Sequence, residues 1–415
     1  MTARPLAPRP PWAGRRVVLG VTAGIAAYKA VQLARDLARL GARVDTVLSS
    51  SARRFVGPLS FAGVTGGSVH TRILATEGAA LHIRLGTEAD LIIVAPATAD
   101  FIAKAAQGRA DGLLTAILLS TRAPVILAPA MNDRMYSHPQ TQRNLEHCRD
   151  VLGYRLAGPG SGALAVGEGE GPGRMLEPAD LADHAGRALG EAEPFLGRTV
   201  LVTAGPTREP MDPVRYLGNR SSGRMGFAIA REAWLRGADV TLVTGPSSLP
   251  DPVGVRTVRV ETASDMLSEV KKSITKADIV VYAAAVADFR PAERRDRKIK
   301  KSSGDGRTIE LTENPDIALE SWAGRRNGVV RVGFALETEE LLEGARKKLE
   351  EKGFDLVLAN DPGEPGAGFD VPTNRVTLLD REGRVEELPL LAKEELAVVV
   401  MDRVADRLRS VARGA

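Results

Sequence analysis

The residues best suited to chemistry follow apolar runs of strand length. In the second half, the run Thr199 to Val202 breaks at Thr203-Ala204-Gly205-Pro206, crosses a polar stretch, and turns helical at Ser221-Ser222-Gly223. A helix start offers free N–H groups and the positive end of a dipole, so this stretch reads as a strand, a ligand-sized loop and an anion-binding helix N-terminus. The connection is longer than the Gly-rich turn of a dinucleotide fold. In the first half, VTAGI, APATAD and APAMN each close an apolar run, and Ser49 closes a fourth. Their small residues let a flat ring approach the backbone, and the hydroxyls can meet a phosphate. A phosphorylated aromatic cofactor suits these strand ends better than a metal ion, because no His/Cys/Asp cluster has ligand spacing.

These residues need parallel strands to bring them together. Arg16 to Ser51 reads as strand, Gly-containing turn, amphipathic helix and strand, and RTVLVTAG, GFAIAREAWLRG and ADVTLVTGP repeat that grammar in the second half. Gly41 and Gly237 each supply a helix C-cap before the next strand. LIIVA and PVILA read as strands buried on both faces, as a parallel sheet requires. In such sheets ligands bind outside the carboxyl ends of the strands. The expected fold is therefore α/β, with two doubly wound parallel-sheet domains, flavodoxin-like and Rossmann-like, in series. The expected divisions are a disordered Pro/Arg-rich tail over 1–14, a first domain over 15–190 and a second over 191–415.

With 415 residues there is room for more than one core. The net charge of +4 arises from 56 basic and 52 acidic side chains, so the high isoelectric point does not signal a basic face. Aromatics at 4% are too sparse to act as base-stacking platforms, which argues against nucleic-acid binding. The one cysteine, Cys148, excludes an intrachain disulfide framework and fits a reducing, cytoplasmic setting. No apolar run approaches the ~18 residues of a spanning helix, so no membrane role is expected.

The motifs themselves carry a resemblance. GVTAGIAAYK, LHIRLGTEAD, APATADFIAKAA, PAMNDRMY and GEGPGRM resemble the flavin-dependent cysteine decarboxylases. VTAGPTREPMDPVRYLGNRSSGRMGFAIA, AAAVADFR, KIKK, NPDI, VGFALET and AND resemble phosphopantothenate-cysteine ligase. In this order they are similar to the bacterial bifunctional family in which phosphopantothenoylcysteine decarboxylase is fused to that ligase, over nearly the whole chain from about Arg15.

For the first half the resemblance implies FMN, with Gly24, Ser49 and Thr98 near its phosphate and ring. His82 would be the base that helps oxidise the substrate thiol, while Asn132, with Met135, would hold the substrate near its carboxylate. From the residues alone, a histidine between Leu81 and Ile83 reads more readily as a half-buried strand residue, and Asn132 could merely close a turn. For the second half the resemblance implies CTP-dependent activation of 4'-phosphopantothenate as an acyl-cytidylate, followed by attack of cysteine. Asn219 would orient the acyl group and Lys298, with Lys300 and Lys301, would neutralise the triphosphate. Ala284, Asp288, Pro315, Asp316, Ile317, Ala318, Phe334, Lys348 and Lys352 fall on the other nucleotide contacts. Mg2+ is implied as the triphosphate partner, and homo-oligomers by flavin sites near subunit contacts. As plain sequence, RRDRKIKKSSGDGR is also a solvated basic loop, and Lys348 and Lys352 also the polar face of one helix.

One departure stands out. Within SGALAVGEGEGPGRM, Val166 occupies the place of the family's cysteine, which protonates the decarboxylated enethiol. Three outcomes stay open: the reaction stops at the enethiol, Glu168 or Glu170 donates the proton, or the domain keeps flavin without activity as an assembly platform. A nicotinamide-dependent short-chain reductase is disfavoured, because Tyr28 and Tyr216 are followed four residues on by Gln32 and Arg220 rather than lysine. A P-loop enzyme lacks its GxxxxGK[ST] signature.

Overall fold

The computed structural model describes residues 10–73, 80–164, 166–167, 169–190, 194–300, 308–336, 341–361, 363, 366–368 and 371–414. The chain divides into two compact units, Met1–Gly190 and Glu191–Ala415.

The first unit contains β1 (Arg16–Val21), α1 (Ala27–Arg39), β2 (Arg43–Leu48), α2 (Pro58–Thr65), β3 (Val69–His70), α3 (Leu81–Glu88), β4 (Leu91–Ala97), α4 (Ala99–Ala106) and α5 (Leu113–Ser120). It continues with β5 (Val125–Pro129), α6 (Asp133–Ser137), α7 (Pro139–Asp150), β6 (Arg155–Leu156), β7 (Gly160–Ala163), β8 (Glu170–Arg174) and α8 (Pro178–Gly190). Six parallel strands order as β3-β2-β1-β4-β5-β6, so the winding reverses between β1 and β4. The apolar runs follow from this: every residue of β4 is buried, as expected of a strand covered by helices on both faces. β7 and β8 form a separate antiparallel hairpin.

The second unit contains β9 (Thr199–Ala204), β10 (Arg208–Pro210), β11 (Tyr216–Gly218), α9 (Arg224–Leu235), β12 (Asp239–Thr244), β13 (Arg256–Arg259), α10 (Ala263–Ile274) and β14 (Ile279–Tyr282). Then come β15 (Phe289–Pro291), β16 (Leu311–Glu313), α11 (Ile317–Glu320), β17 (Val330–Leu336), α12 (Leu341–Glu351), β18 (Leu356–Asn360), β19 (Thr373–Asn374), β20 (Thr377–Asp380), β21 (Val385–Glu387), β22 (Leu391–Ala392) and α13 (Lys393–Gly414). Its sheet runs β13-β12-β9-β14-β17-β18-β20-β21, parallel through β18 and antiparallel beyond. The parallel part repeats the winding of the first unit, with its reversal between β9 and β14. Each reversal opens a crevice at the carboxyl ends of the strands.

Two expectations change at this level. The tail was expected to be disordered through residue 14, yet Trp12 is 1% exposed and lies against Gly186 of α8, where even a Cβ would come within 2.2 Å of the indole. Burying an indole against a glycine notch orders the segment that carries it. The long connection after β9 is not plain loop either. β10 and β11 pair as a short antiparallel arm, with the Arg208 guanidinium 4.6 Å from the centre of the Tyr216 ring.

Candidate functional site

In the first unit the crevice is a cavity of about 1220 Å³. β1 delivers Thr22 and Gly24, β2 delivers Ser49 to Ser51, β4 delivers Thr98, and β5 delivers Ala130 to Asn132. Thr22 Oγ1 donates to Pro96 O at 2.7 Å and accepts from the Thr98 N–H at 3.2 Å, which locks the ends of β1 and β4 together. α1 begins at Ala27 with no side chain capping it, and its positive end faces the cavity, although the Ala27 and Lys29 N–H groups already donate to Gly24 O and Ala26 O at 3.0 Å. A Cβ on Gly24 would meet only Thr98 Cγ2, at 3.9 Å, leaving the approach to that helix start open. Thr22, Ser49, Ser51 and Thr98 line the same cavity, the Thr22 hydroxyl being committed to Pro96 O. This donor set, beside a slot walled by alanine and glycine, fits a phosphate joined to a flat ring, and so fits FMN.

The opposite wall is fixed by the hairpin. Met131 N–H donates to Gly173 O at 3.0 Å, and a Cβ on Gly173 would lie 2.2 Å from Met131 O. Only glycine permits that approach, which accounts for the second glycine of GPGRM. Asn132 caps α6 by accepting from the Arg134 N–H at 3.0 Å. Gly24, Ser49, Thr98, Asn132 and Met135 thus share one cavity. Ile25, Tyr28 and Met135 at its rim are each more than half exposed, an apolar edge of the kind that meets a substrate or another chain.

His82 does not join them. It lies in the first turn of α3, a helix where a strand was expected, because Leu81 and Leu85 are buried at helical spacing. It does not line the cavity; its carbonyl accepts from Ser120 Oγ at 2.9 Å, and among the described residues its buried Nδ1 has no hydrogen-bond partner. Val166 is fully exposed between β7 and β8, and neither it nor the exposed Glu170 lines the cavity; Glu168 lies outside the described residues. Cys148 is buried in the core beneath α7, where burial pushes its thiol up to about 11. Asp100, Lys104 and Asp111 line the cavity as an ion-paired group, with Lys104 3.0 Å from Asp100 and 3.7 Å from Asp111. In sequence they read as ordinary helix and loop charges.

In the second unit the crevice encloses about 630 Å³. α9 starts after Gly223, whose φ of 79° no branched side chain tolerates, and no side chain caps the helix. A Cβ on Gly226 would sit 2.5 Å from Ala204 Cβ, so the glycines of SSGRMG both aim the helix start and let it pack on β9. Asn219 Nδ2 donates to Val286 O at 2.8 Å, holding the amide across from that helix start. Asn219, Ala284, Asp288, Pro315, Asp316, Ile317, Ala318, Phe334, Lys348 and Lys352 all line this one cavity, although 133 residues separate the first from the last. Asp316 caps α11, accepting from the Leu319 N–H at 3.0 Å, and pairs with Lys352 Nζ at 2.6 Å. Burial alone would raise its carboxyl, but the Lys352 ammonium and the helix N–H groups hold it below the ordinary value.

Lys298 is not among the lining residues. It and Lys300 are exposed, and Lys301 lies outside the described residues. Asn360 at the end of β18 and Lys393 at the start of α13 line the cavity and are buried, with Lys393 Nζ donating to Gly368 O at 2.9 Å. Asn360 lies within the AND motif; Lys393 had no signal beyond an ordinary helix-start charge. Among the described residues, no group of His, Cys, Asp and Glu side chains could hold a metal ion, and no helix is long and apolar enough to cross a membrane.

Residues 9–189 match the model of the Flavoprotein family, and residues 195–408 match the DNA/pantothenate metabolism flavoprotein C-terminal domain. The chain is 45% identical over 399 residues to the "Coenzyme A biosynthesis bifunctional protein CoaBC" of Vibrio cholerae serotype O1, covering 95% of this chain and 99% of that protein. The proteins of the same name from Escherichia coli K12 and Bacillus subtilis 168 are 45% and 42% identical, over 95% and 94% of this chain and 98% and 97% of theirs. Two phosphate-suited crevices, one behind each family match, stand on a chain alignable with these relatives almost end to end, and the chain belongs to the family of coenzyme A biosynthesis bifunctional proteins, CoaBC.

Proposed function

We propose that the second unit joins 4'-phosphopantothenate to cysteine at the expense of CTP, and that the first unit decarboxylates the product to 4'-phosphopantetheine. The observation that carries this reading is the convergence of Asn219, Asp288, Asp316, Lys348 and Lys352, from four separate segments, on a cavity headed by the uncapped α9 start. A carboxylate is a poor electrophile until one oxygen becomes a phosphate ester. The carboxylate of 4'-phosphopantothenate therefore attacks the α-phosphate of CTP, pyrophosphate leaves, and the cysteine amine then displaces CMP. Lys348 and Lys352 offset the triphosphate charge, Asn219 holds the acyl group where negative charge develops, and Asp288 meets the nucleotide. Lys298 lies outside the cavity and is assigned a supporting field on the triphosphate tail. Mg2+ would enter with the phosphates rather than on a protein cage.

In the first unit, the α1 start with Ser49 and Thr98 would hold the FMN phosphate, and Gly24 with Ala130 would let the ring lie flat. Bound there, FMN would supply a hydride acceptor for the carbon that bears the substrate thiol, an oxidation that would let the neighbouring carboxylate leave as CO2. Asn132 and Met135 would hold that carboxylate. His82, outside the cavity of its own chain, would supply its base across a contact between copies in a homo-oligomer, met at the apolar rim. A cytoplasmic setting suits the reduced thiol product. One observation favours a shorter cycle. Val166, fully exposed and with no proton to give, stands where the family has its donor, so the reaction would end at the enethiol.

Pyrophosphate release tests the ligase reading. It should require both CTP and 4'-phosphopantothenate, and added cysteine should convert the bound intermediate to product and CMP. Pyrophosphate release without 4'-phosphopantothenate, or none with it, would remove the reading.

A further inference from the structure

Arg331 is the one charged residue of β17 and has 0% exposure, in a strand flanked on both sides by parallel neighbours. Its guanidinium lies 3.7 Å from the centre of the Trp322 ring, 5.0 Å from that of Phe354 and 5.4 Å from that of Tyr282. Stacked arginine is well suited to such a box, but a buried cation is costly unless its N–H groups are also met. The two terminal nitrogens are met by main-chain carbonyls, one donating to Ala318 O at 2.5 Å and the other to Lys352 O, while among the described residues the buried Nε has no hydrogen-bond partner. Desolvation pulls the guanidinium below its ordinary value, yet an arginine keeps its charge at any working pH.

The two acceptors matter more than the box. Ala318 belongs to α11, whose cap is Asp316; Lys352 follows the last turn of α12 and reaches Asp316 with its side chain at 2.6 Å. Arg331 to Ala318, along α11 to Asp316, across to Lys352, and back through the Lys352 carbonyl to Arg331 forms a closed ring. A second tie runs beside it, from Tyr282 Oη to Ser321 Oγ at 3.0 Å and from Ser321 Oγ to Ile317 O at 2.5 Å. Arg331, which is not among the cavity-lining residues, thus ties together the main-chain segments that carry Asp316 and Lys352.

We infer that Arg331 is a positioning residue of the nucleotide site, fixing the separation between the start of α11 and Lys352 by bridging their main chains. The inference rests on the reading of this cavity as the CTP site. A hydrocarbon of similar length could fill the aromatic box, but a side chain without N–H donors cannot hold either carbonyl. Its loss should therefore be felt by CTP more than by 4'-phosphopantothenate, and through Lys352.

The experiment is a double-mutant cycle on the full chain, with CTP binding measured by calorimetry beside the KM of each substrate. The proteins are wild type, Arg331→Met, Lys352→Met and the double variant. Arg331→Met, which keeps the box filled, should weaken CTP about tenfold while the KM for 4'-phosphopantothenate stays within about twofold. In the double variant the two losses should not multiply, since both act on the same contact. If Arg331→Met does not fold, Arg331→Lys replaces it, keeping the charge but exchanging a planar fork with two separate terminal nitrogens for a single nitrogen; the same CTP-selective loss is expected. A folded Arg331 variant with wild-type CTP affinity, or losses that multiply in the double variant, overturns the inference. Wild-type protein that binds no CTP would instead bring down the reading of the cavity itself.

Discussion

Asp212 Oδ2 accepts a hydrogen bond at 3.1 Å from the main-chain N–H of Ile299, a residue 87 positions away. The same carboxylate takes Arg215 Nε at 3.0 Å and the N–H groups of Val214 and Arg215 at 2.8 and 2.9 Å, and Arg215 in turn donates to Ile299 O at 2.7 Å. Asp212 itself is 2% exposed. The basic KIKK segment is therefore anchored, one residue from Lys298, to the loop joining β10 and β11.

Replacing Asp212 with alanine should release that anchor. Loss of one partner from hydrogen bonds to a charged group costs about 1.5–3 kcal/mol. The KM for CTP should rise on the order of tenfold or more, with a smaller change in kcat. Unaltered CTP kinetics in a folded Asp212→Ala variant would separate the anchor from the nucleotide site.

The same residue sets a pH expectation. Burial by itself would raise the Asp212 carboxyl, but the Arg215 guanidinium and the N–H groups of Val214, Ile299 and Arg215 outweigh it and hold the group below its ordinary range. A depressed carboxyl contributes stability that is complete above its unfolded value near ~3.9 and is lost as pH falls through the lower folded value. The anchor should thus be insensitive to pH from neutrality down to pH ~4 and weaken only in stronger acid. Thermal unfolding of wild type and Asp212→Asn across pH 2–8 should show curves with a constant separation above pH ~4 that draw together progressively below it.

Cys148 offers a second chemical check. Its side chain is fully buried and its thiol is pushed up to about 11, so almost none of it is thiolate at pH 8. A thiol reagent should react slowly with native protein and rapidly with one thiol per chain after denaturation. Fast labelling of native protein would contradict the packing of α7.

If His82 serves a neighbouring copy, two inactive variants should complement. Mixed after gentle dissociation, His82→Asn and Asn132→Ala chains should recover a measurable fraction of CO2 release, because some sites pair an intact His82 with an intact Asn132. No recovery, with each variant still binding flavin, would return His82 to a structural place in α3.

Asn219→Ala should block ligated product while pyrophosphate release from CTP persists, since the amide is assigned to the second step and the first needs only the charge-bearing side of the cavity. Normal turnover would remove Asn219 from that role.

The strand ends were legible because each depends on local pattern. An apolar run buried on both faces must stop where the sheet stops, so Gly24, Ser49, Thr98 and Asn132 could be placed at carboxyl ends without knowing which strand pairs with which. The repeated winding of the two sheets was legible for the same reason. Arg331 was not: VVRVGFALE reads as a strand with one outward charge, and the rings that enclose it, Tyr282, Trp322 and Phe354, come from other segments. His82 misled because LHIRL alternates over too few residues to separate strand from helix. Lys298 sits in a stretch whose charge is plain but whose position is set by Asp212, a contact no local pattern announces.

The most direct test of the whole account is mass spectrometry of products after anaerobic incubation of the protein, loaded with FMN, with 4'-phosphopantothenate, cysteine, CTP and Mg2+, while flavin absorbance is followed. The account predicts a product heavier by one cysteinyl group that then loses CO2. If Val166 ends the cycle at the enethiol, that loss is accompanied by two further hydrogens and a bleached flavin. A ligated product that persists with oxidised flavin, or no ligated product at all, would contradict it.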